Sequence, residues 1–217
     1  MIEYIREIDS IDQNGELNNI AGYCKVPGVW ILLGKKRGQA DAPVECLQVA
    51  QTKDIGGEIK RDVGFLGNKR SVPVSERDKL EKWYVNQFGE CMFRYKSCPN
   101  RFYRAESLYK EIAEKYEGLV FVCVAHGDAL KDNKLRKNIE KYVAYRTLSL
   151  YWVNGRPYKN KKDAEEIRLI KESCKKESAG IFEKIKSSYG KKADFLDQFL
   201  DDLLNGKTDI QVQDSQM

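Results

Sequence analysis

No stretch of this sequence reaches the roughly 18 consecutive apolar residues that a membrane-crossing helix needs. The opening residues, MIEYIREIDSIDQ, place acids where a secretion signal carries a basic segment followed by an apolar one. Together these absences lead to the expectation of a soluble, cytoplasmic protein with no membrane contact. Six cysteines are present, at 24, 46, 91, 98, 123 and 174, but none forms a CxxC pair. Cys91 and Cys98 are spaced too widely for the usual zinc-ligand pair, while Cys46 and Cys123 lie inside apolar, strand-like runs. Reduced thiols acting as small hydrophobes are therefore expected. Histidine occurs once, as His126, and no internal repeat is visible.

What is present is enough for a core. Hydrophobic residues make up 41% and aromatics 11% of 217 residues, so disorder is not expected away from the termini. The length suits one domain with an extension. The net charge of +5 is unevenly spread. Residues 161–217 hold 11 Lys/Arg and 12 Asp/Glu; the totals of 38 and 33 then leave 27 and 21 for residues 1–160, a balance of +6. Within that part, residues 131–160 carry eight bases and two acids, Asp132 and Glu140. Such a segment suits a polyanion, or else a solvated helix face.

The chain reads as mixed α/β. GVWILL (28–33) and ECLQVAQ (45–51) are rich in β-formers and are joined by KKRGQADAP, a hairpin-loop composition. Thr52 or Asp54 caps a helix over 55–66, where Ile55, Ile59, Val63 and Leu66 recur at helical spacing and Gly56, Gly57 and Gly64 weaken it. Helical patterns follow at 75–88 and 105–116, with a short strand expected at 91–95 and turn chemistry at 97–100. GLVFVCVA (118–125) is the most apolar strand, and its continuous run predicts a central strand covered on both faces. Helices are expected over 133–150 and 163–189, the latter with a seam of Ile167, Ile170, Cys174, Ile181, Phe182 and Ile185. A last amphipathic helix ends near Gly206, a plausible C-cap. The fold class is therefore α/β (α+β): a small mixed sheet opening with a β-hairpin and flanked by helices. The domain spans 1–160 with an insertion at about 67–117, followed by a helical extension over 161–206 and a flexible tail over 207–217.

This order of elements, with Gly28-Val29-Trp30 on the first strand, Gln48-Val49-Ala50 on the second and Gln51-Thr52-Lys53-Asp54-Ile55 leading into the helix, resembles the GIY-YIG nuclease family. The motif likeness covers 28–66, and the order of elements extends it over 118–154. What the resemblance implies is a nuclease fold in which the first-motif tyrosine positions a water. The second tyrosine and a helix arginine hold the scissile phosphate, and a glutamate on a later helix binds a divalent ion. That chemistry needs an in-line nucleophile and cations on the phosphate. At the corresponding positions stand Trp30, Gln48 and Glu58. An indole N–H donates and accepts no proton, and Glu58 puts a negative charge where a phosphate would lie.

Replacements are available in the sequence. Arg61 is one turn beyond Glu58, Lys53 sits at the exit of the hairpin, and His126 follows the 118–125 strand as a candidate base, although a loop position with no task suits it better. Glu58 and Arg61 also suit a local ion pair. Glu140, implied as the metal ligand for Mg²⁺ by the resemblance, borders the buried stripe of Leu135, Ile139, Tyr142 and Val143, where a paired structural acid fits as well. Lys53, Arg61, Arg136, Lys137, Lys141, Arg146 and Asn154 are the candidate contacts to DNA or RNA. FRYKSCPNRFYR (93–104) interleaves bases and aromatics in a way that suits either nucleobase stacking or internal cation–π packing. Three functions remain open at this level: a catalytically degenerate domain that binds nucleic acid, an active but divergent Mg²⁺-dependent endonuclease, and a protein-interaction scaffold that docks through its C-terminal helices.

Overall fold

The computed structural model describes residues 20–39, 41–67, 101–152 and 164–207. The expected helix at 75–88, strand at 91–95, turn at 97–100 and most of the 93–104 stretch lie outside the described residues, as do Asn154 and the last ten positions.

Strands β1 (Gly28–Lys36) and β2 (Glu45–Thr52) form the expected hairpin, helix α1 (Ile55–Leu66) follows, and helix α2 (Arg101–Lys115) leads directly into β3 (Tyr116–His126). A 3-10 turn, Asp128–Lys131, then precedes α3 (Asn133–Thr147), α4 (Ala164–Tyr189) and α5 (Lys191–Leu204). The class is mixed α/β as expected, and both pairings of the sheet are antiparallel rather than mixed in direction.

Strand order is β2-β1-β3, so the centre of the sheet is β1 and not the 118–125 strand. The expectation failed because a continuous apolar run reports cover on two faces, not hydrogen bonding on two edges. β3 has that cover, with Val120 to Ala125 all buried. β1 is also buried on both faces. Trp30 and Leu32 look toward the layer of α1 and α2, whereas Val29, Ile31 and Leu33 look toward α3. A bulge opposite Leu32 and Leu33 makes Leu47 the extra residue of β2, and this turns Leu47 and Gln48 toward the same α1–α2 layer.

Helix α1 starts where Asp54 caps it, its carboxylate accepting from the Gly57 N–H at 2.9 Å and from the Lys25 N–H at 2.7 Å. The glycine that weakens this helix on propensity alone has a packing reason. A Cβ on Gly56 would lie 2.8 Å from the Cys24 nitrogen and 2.9 Å from the Ile20 carbonyl oxygen, so only glycine lets the 3-10 turn Ile20–Tyr23 rest on the first turn of α1. Helix α3 stops at Thr147 instead of running to 150. Leu148 takes a left-handed conformation (φ 53°), after which the Leu150 and Tyr151 N–H groups donate to the Cys46 and Leu47 carbonyls at 3.1 and 2.7 Å. Carbonyls on the edge of β2 thus compete with the last turn of the helix and win.

The helical extension continues the core. Cys174, Ile181 and Ile185 of α4, with Leu196 and Leu200 of α5, are buried in one cluster with Ile139 and Val143 of α3 and Val29, Ile31 and Val122 of the sheet. Expected seam residues Ile170 and Phe182 pack at its margin. Asn205 caps α5, and Gly206 takes the left-handed position just beyond (φ 66°). On the opposite face, Leu108, Tyr109 and Ile112 of α2 join Ile55, Ile59 and Val63 of α1 over Trp30 and Phe121. No described helix is long and apolar enough to cross a membrane.

Candidate functional site

Three positions singled out by the resemblance, Trp30, Gln48 and Glu58, lie on the α1–α2 face of the sheet and are engaged there by internal contacts, whereas Glu140 lies on α3, across the sheet. Trp30 is fully buried, packed edge-on to Phe121 with ring centroids 5.4 Å apart. Its indole N–H has no hydrogen-bond partner among the described residues, and it faces core rather than solvent. Gln48 is buried as well, its amide oxygen 2.7 Å from the Tyr109 hydroxyl. The same hydroxyl lies 2.8 Å from Asp62 Oδ2, while Asp62 Oδ1 accepts from Arg61 Nε at 3.0 Å. Arg61 also reaches Glu58 Oε1 at 3.2 Å, the local ion pair that the sequence allowed.

The electrostatics of this chain of groups follow from burial. Loss of solvent is the main cause that pushes the Asp62 carboxyl up to about 7; the neighbouring Glu58 charge adds to it, and Arg61 and the Tyr109 hydrogen bond oppose it. Tyr109 is held well above the usual phenol value, first by burial and then by the Asp62 charge. Burial works against the Arg61 guanidinium, but the two carboxylates outweigh it and the group stays charged. Arg61 therefore serves Asp62 and Glu58.

Asp62 and Tyr109 were not among the expected site residues, although a signal existed. Asp62 falls three residues after Ile59 and seven after Ile55, so an acid sits on the apolar stripe of α1. Tyr109 stands beside Leu108 and three residues before Ile112, on the buried side of α2.

Among the described bases of the basic stretch, Lys131, Arg136, Lys141 and Arg146 have internal partners. Arg136 is buried, with 2% of its surface exposed, and its guanidinium donates to the Leu130 and Lys131 carbonyls, to Gln51 Oε1 at 2.9 Å and to Asn133 Oδ1 at 3.1 Å. It fastens the turn before α3 to the end of β2, with its donors turned to the protein's own acceptors. Lys141 lies 3.6 Å from Glu177 of α4 and covers the Tyr145 ring. Arg146 pairs with Asp197 at 3.3 Å and with Asp201 of α5. Acids of the extension thus pair with bases of α3, and these two side chains link the helices. Lys137 is exposed and carries no ion pair among the described residues.

Glu140, 5% exposed, accepts from the Trp152 indole N–H at 3.1 Å. No group of three His, Cys, Asp or Glu side chains gathers among the described residues. One buried carboxylate that already has an indole partner does not match the several oxygen ligands that Mg²⁺ requires. His126, half-buried at the end of β3, packs edge-on to Tyr23 at 6.1 Å and stands opposite Gly28 in the sheet.

Exposed charge collects instead at the end of the sheet where β1 begins. Gly28 pairs with Thr52 and with His126, so α1 and α3 both start from this end. Lys25, Lys53 and Lys60 are exposed there, and the charges of Lys25 and Lys60 both bear on the Asp54 carboxylate. Asp54 is held below the usual carboxylate range, chiefly by the Gly57 and Lys25 N–H groups. Lys134 and Lys137 stand exposed in the first turns of α3. Comparison with known proteins returned no similar family model, no similar curated protein and no similar solved structure.

Proposed function

We propose that the chain is a GIY-YIG-like domain that binds DNA or RNA and does not cut it. The observation that carries this reading is the state of the positions the resemblance assigns to catalysis. Trp30 is sealed in the core, and Gln48 and Glu58 are tied through Tyr109, Asp62 and Arg61 into one internal network. A hydrolytic site needs a solvent-reachable base and a cation facing the phosphate. Here the only cation in the network, Arg61, is spent on two carboxylates, which weighs against the divergent-endonuclease alternative.

Binding is supported by the lysines around the starts of α1 and α3. Lys25, Lys53, Lys60, Lys134 and Lys137 are solvent-exposed on flexible stems and suit phosphates through charge rather than base recognition. The test is incubation of the full chain with labelled single- and double-stranded DNA and RNA, with and without Mg²⁺. Retained complexes with intact strands are expected. Mg²⁺-dependent shortening of the strands would establish the endonuclease instead, and no complex even at low salt would leave the scaffold reading.

A further inference from the structure

The register of the last three helices brings lysines from separate elements to one end of the molecule. Lys141 of α3 meets Glu177 of α4, and Leu148 at the other end of α3 lines a cavity with Lys171, so the two helices run antiparallel. Tyr142 meets Asp197, Arg146 meets Asp201, and Leu148 shares the same cavity with Leu203. Helix α5 therefore runs parallel to α3 at a constant offset. Lys186 joins the ends of α4 and α5 through Asp194 at 2.7 Å.

Two helical turns back from Lys141 stands Lys134, and two turns on from Glu177 stands Lys184, each on the same flank of its helix as the residue it is counted from. An attractive pair in one heptad is thus followed, in the next, by two lysines at one level of the same seam. Lys137 lies between Lys134 and Lys141, and the offset of α5 puts Lys191 level with the first turns of α3. Lys134, Lys137, Lys184 and Lys191 are exposed and carry no ion pair among the described residues. Lys192, by contrast, rests over the Tyr189 ring at 5.5 Å.

Folding stability does not account for this placement. The first turn of a helix carries partial positive charge and favours acids. Yet Lys134 and Lys137 stand at the start of α3, whose first turn holds no acid, and Lys191 opens α5 behind Gly190, which offers no side-chain cap. Like charges at one level of neighbouring helices add repulsion. The nearest acids have other tasks: Asp132 accepts from the Lys134 backbone N–H at 2.8 Å, Asp194 holds Lys186, and Glu183 stands on the outer side of α4.

We propose that Lys184 and Lys191 carry the basic face of α3 onto the helical extension, so that α4 and α5 share in holding the phosphates of a nucleic acid. This rests on the reading that the chain binds DNA or RNA, and it adds the extension to the binding surface. A phosphate backbone brings the missing negative charge to each lysine and releases its own counterions in exchange. The lysines at the start of α1 stand at the same end of the sheet, since Gly28 pairs with both Thr52 and His126.

The test compares the full chain with Lys184→Gln, Lys191→Gln and with a control, Lys175→Gln, Lys176→Gln, which removes the same charge from exposed positions nearer the middle of α4. Glutamine keeps the stem and the helix propensity, so the Tm of Lys184→Gln, Lys191→Gln should equal or exceed that of the full chain. Each protein is titrated against one labelled DNA and one labelled RNA across a salt series. Lys184→Gln, Lys191→Gln should lower the log–log salt slope by about two, and the control by less than about a half. If the full chain binds but the slope is unchanged in Lys184→Gln, Lys191→Gln, or falls equally in the control, the inference is overturned and the reading of function stands. Absence of binding by the full chain overturns both.

Discussion

Replacing Arg136 with alanine separates an internal tie from a phosphate contact. The guanidinium supplies donors to the Leu130 and Lys131 carbonyls and to Gln51 and Asn133. The two side-chain acceptors lie near solvent and can recover water, but Leu130 is fully buried and its carbonyl has no such recourse. An orphaned buried acceptor costs about 1–3 kcal/mol, and losing the packed aliphatic stem adds about 1–2 kcal/mol. The variant should therefore lose about 2–5 kcal/mol of a total that for ordinary domains is about 5–15 kcal/mol. Urea unfolding followed by far-UV circular dichroism measures this, with Arg136→Met, which keeps the stem, recovering part of the loss. A surface residue whose task is to meet a phosphate behaves differently. Its removal shifts stability by less than about 0.5 kcal/mol and lowers the salt slope of nucleic-acid binding by about one. That second pattern would refute the reasoning.

Other consequences concern Glu140 and the cysteines. Glu140→Ala should destabilise by about 1–3 kcal/mol through the unpaired Trp152 indole N–H. Thermal melts should show the same loss with Mg²⁺ as with a chelator, whereas a Mg²⁺-dependent gain in Tm that vanishes in the variant would make Glu140 a ligand after all. Burial pushes the Cys46 thiol up to about 11 and the Cys123 thiol up to about 12, so neither offers thiolate at neutral pH. In native-state alkylation mapped by mass spectrometry, exposed Cys24 should label before Cys46 and Cys123, which should label only on unfolding. Labelling of Cys123 at the rate of Cys24 would contradict the closed sheet.

The parts of the fold legible in the sequence are those whose signals are local. The hairpin and α1 rest on β-formers, a polar loop, the Asp54 cap and a 3.6-residue apolar repeat, and they appear with the bounds expected for α1. What was not legible depends on partners far along the chain. Arg136 and Glu140 share a helix face with Leu135 and Ile139, which places both at the core boundary. Only the positions of Gln51 and Trp152 show that both are internally paired. In the same way, the surplus charge of α3 reads as a polyanion surface until Asp197 and Asp201, more than fifty residues on, are seen to meet Arg146. The strand at 118–125 was misplaced within the sheet because β1, with Gly28 at one end and two lysines at the other, hides an equally apolar centre. At the candidate site the resemblance singled out Gln48 and Glu58 but not Asp62 and Tyr109, whose pairing depends on α1 and α2 meeting in the fold.

The central claim, that this face meets nucleic acid through charge alone and without cleavage, is tested most directly by the salt dependence of binding. The full chain and a Lys25→Ala, Lys53→Ala, Lys60→Ala variant are titrated against one labelled DNA and one labelled RNA across a salt series in the presence of Mg²⁺, and the strands are recovered afterwards. The account predicts intact strands, affinity that falls linearly in log–log form with salt, and a slope reduced by about two to three in the variant. A slope unchanged by the three substitutions, or strands recovered cut, would contradict it.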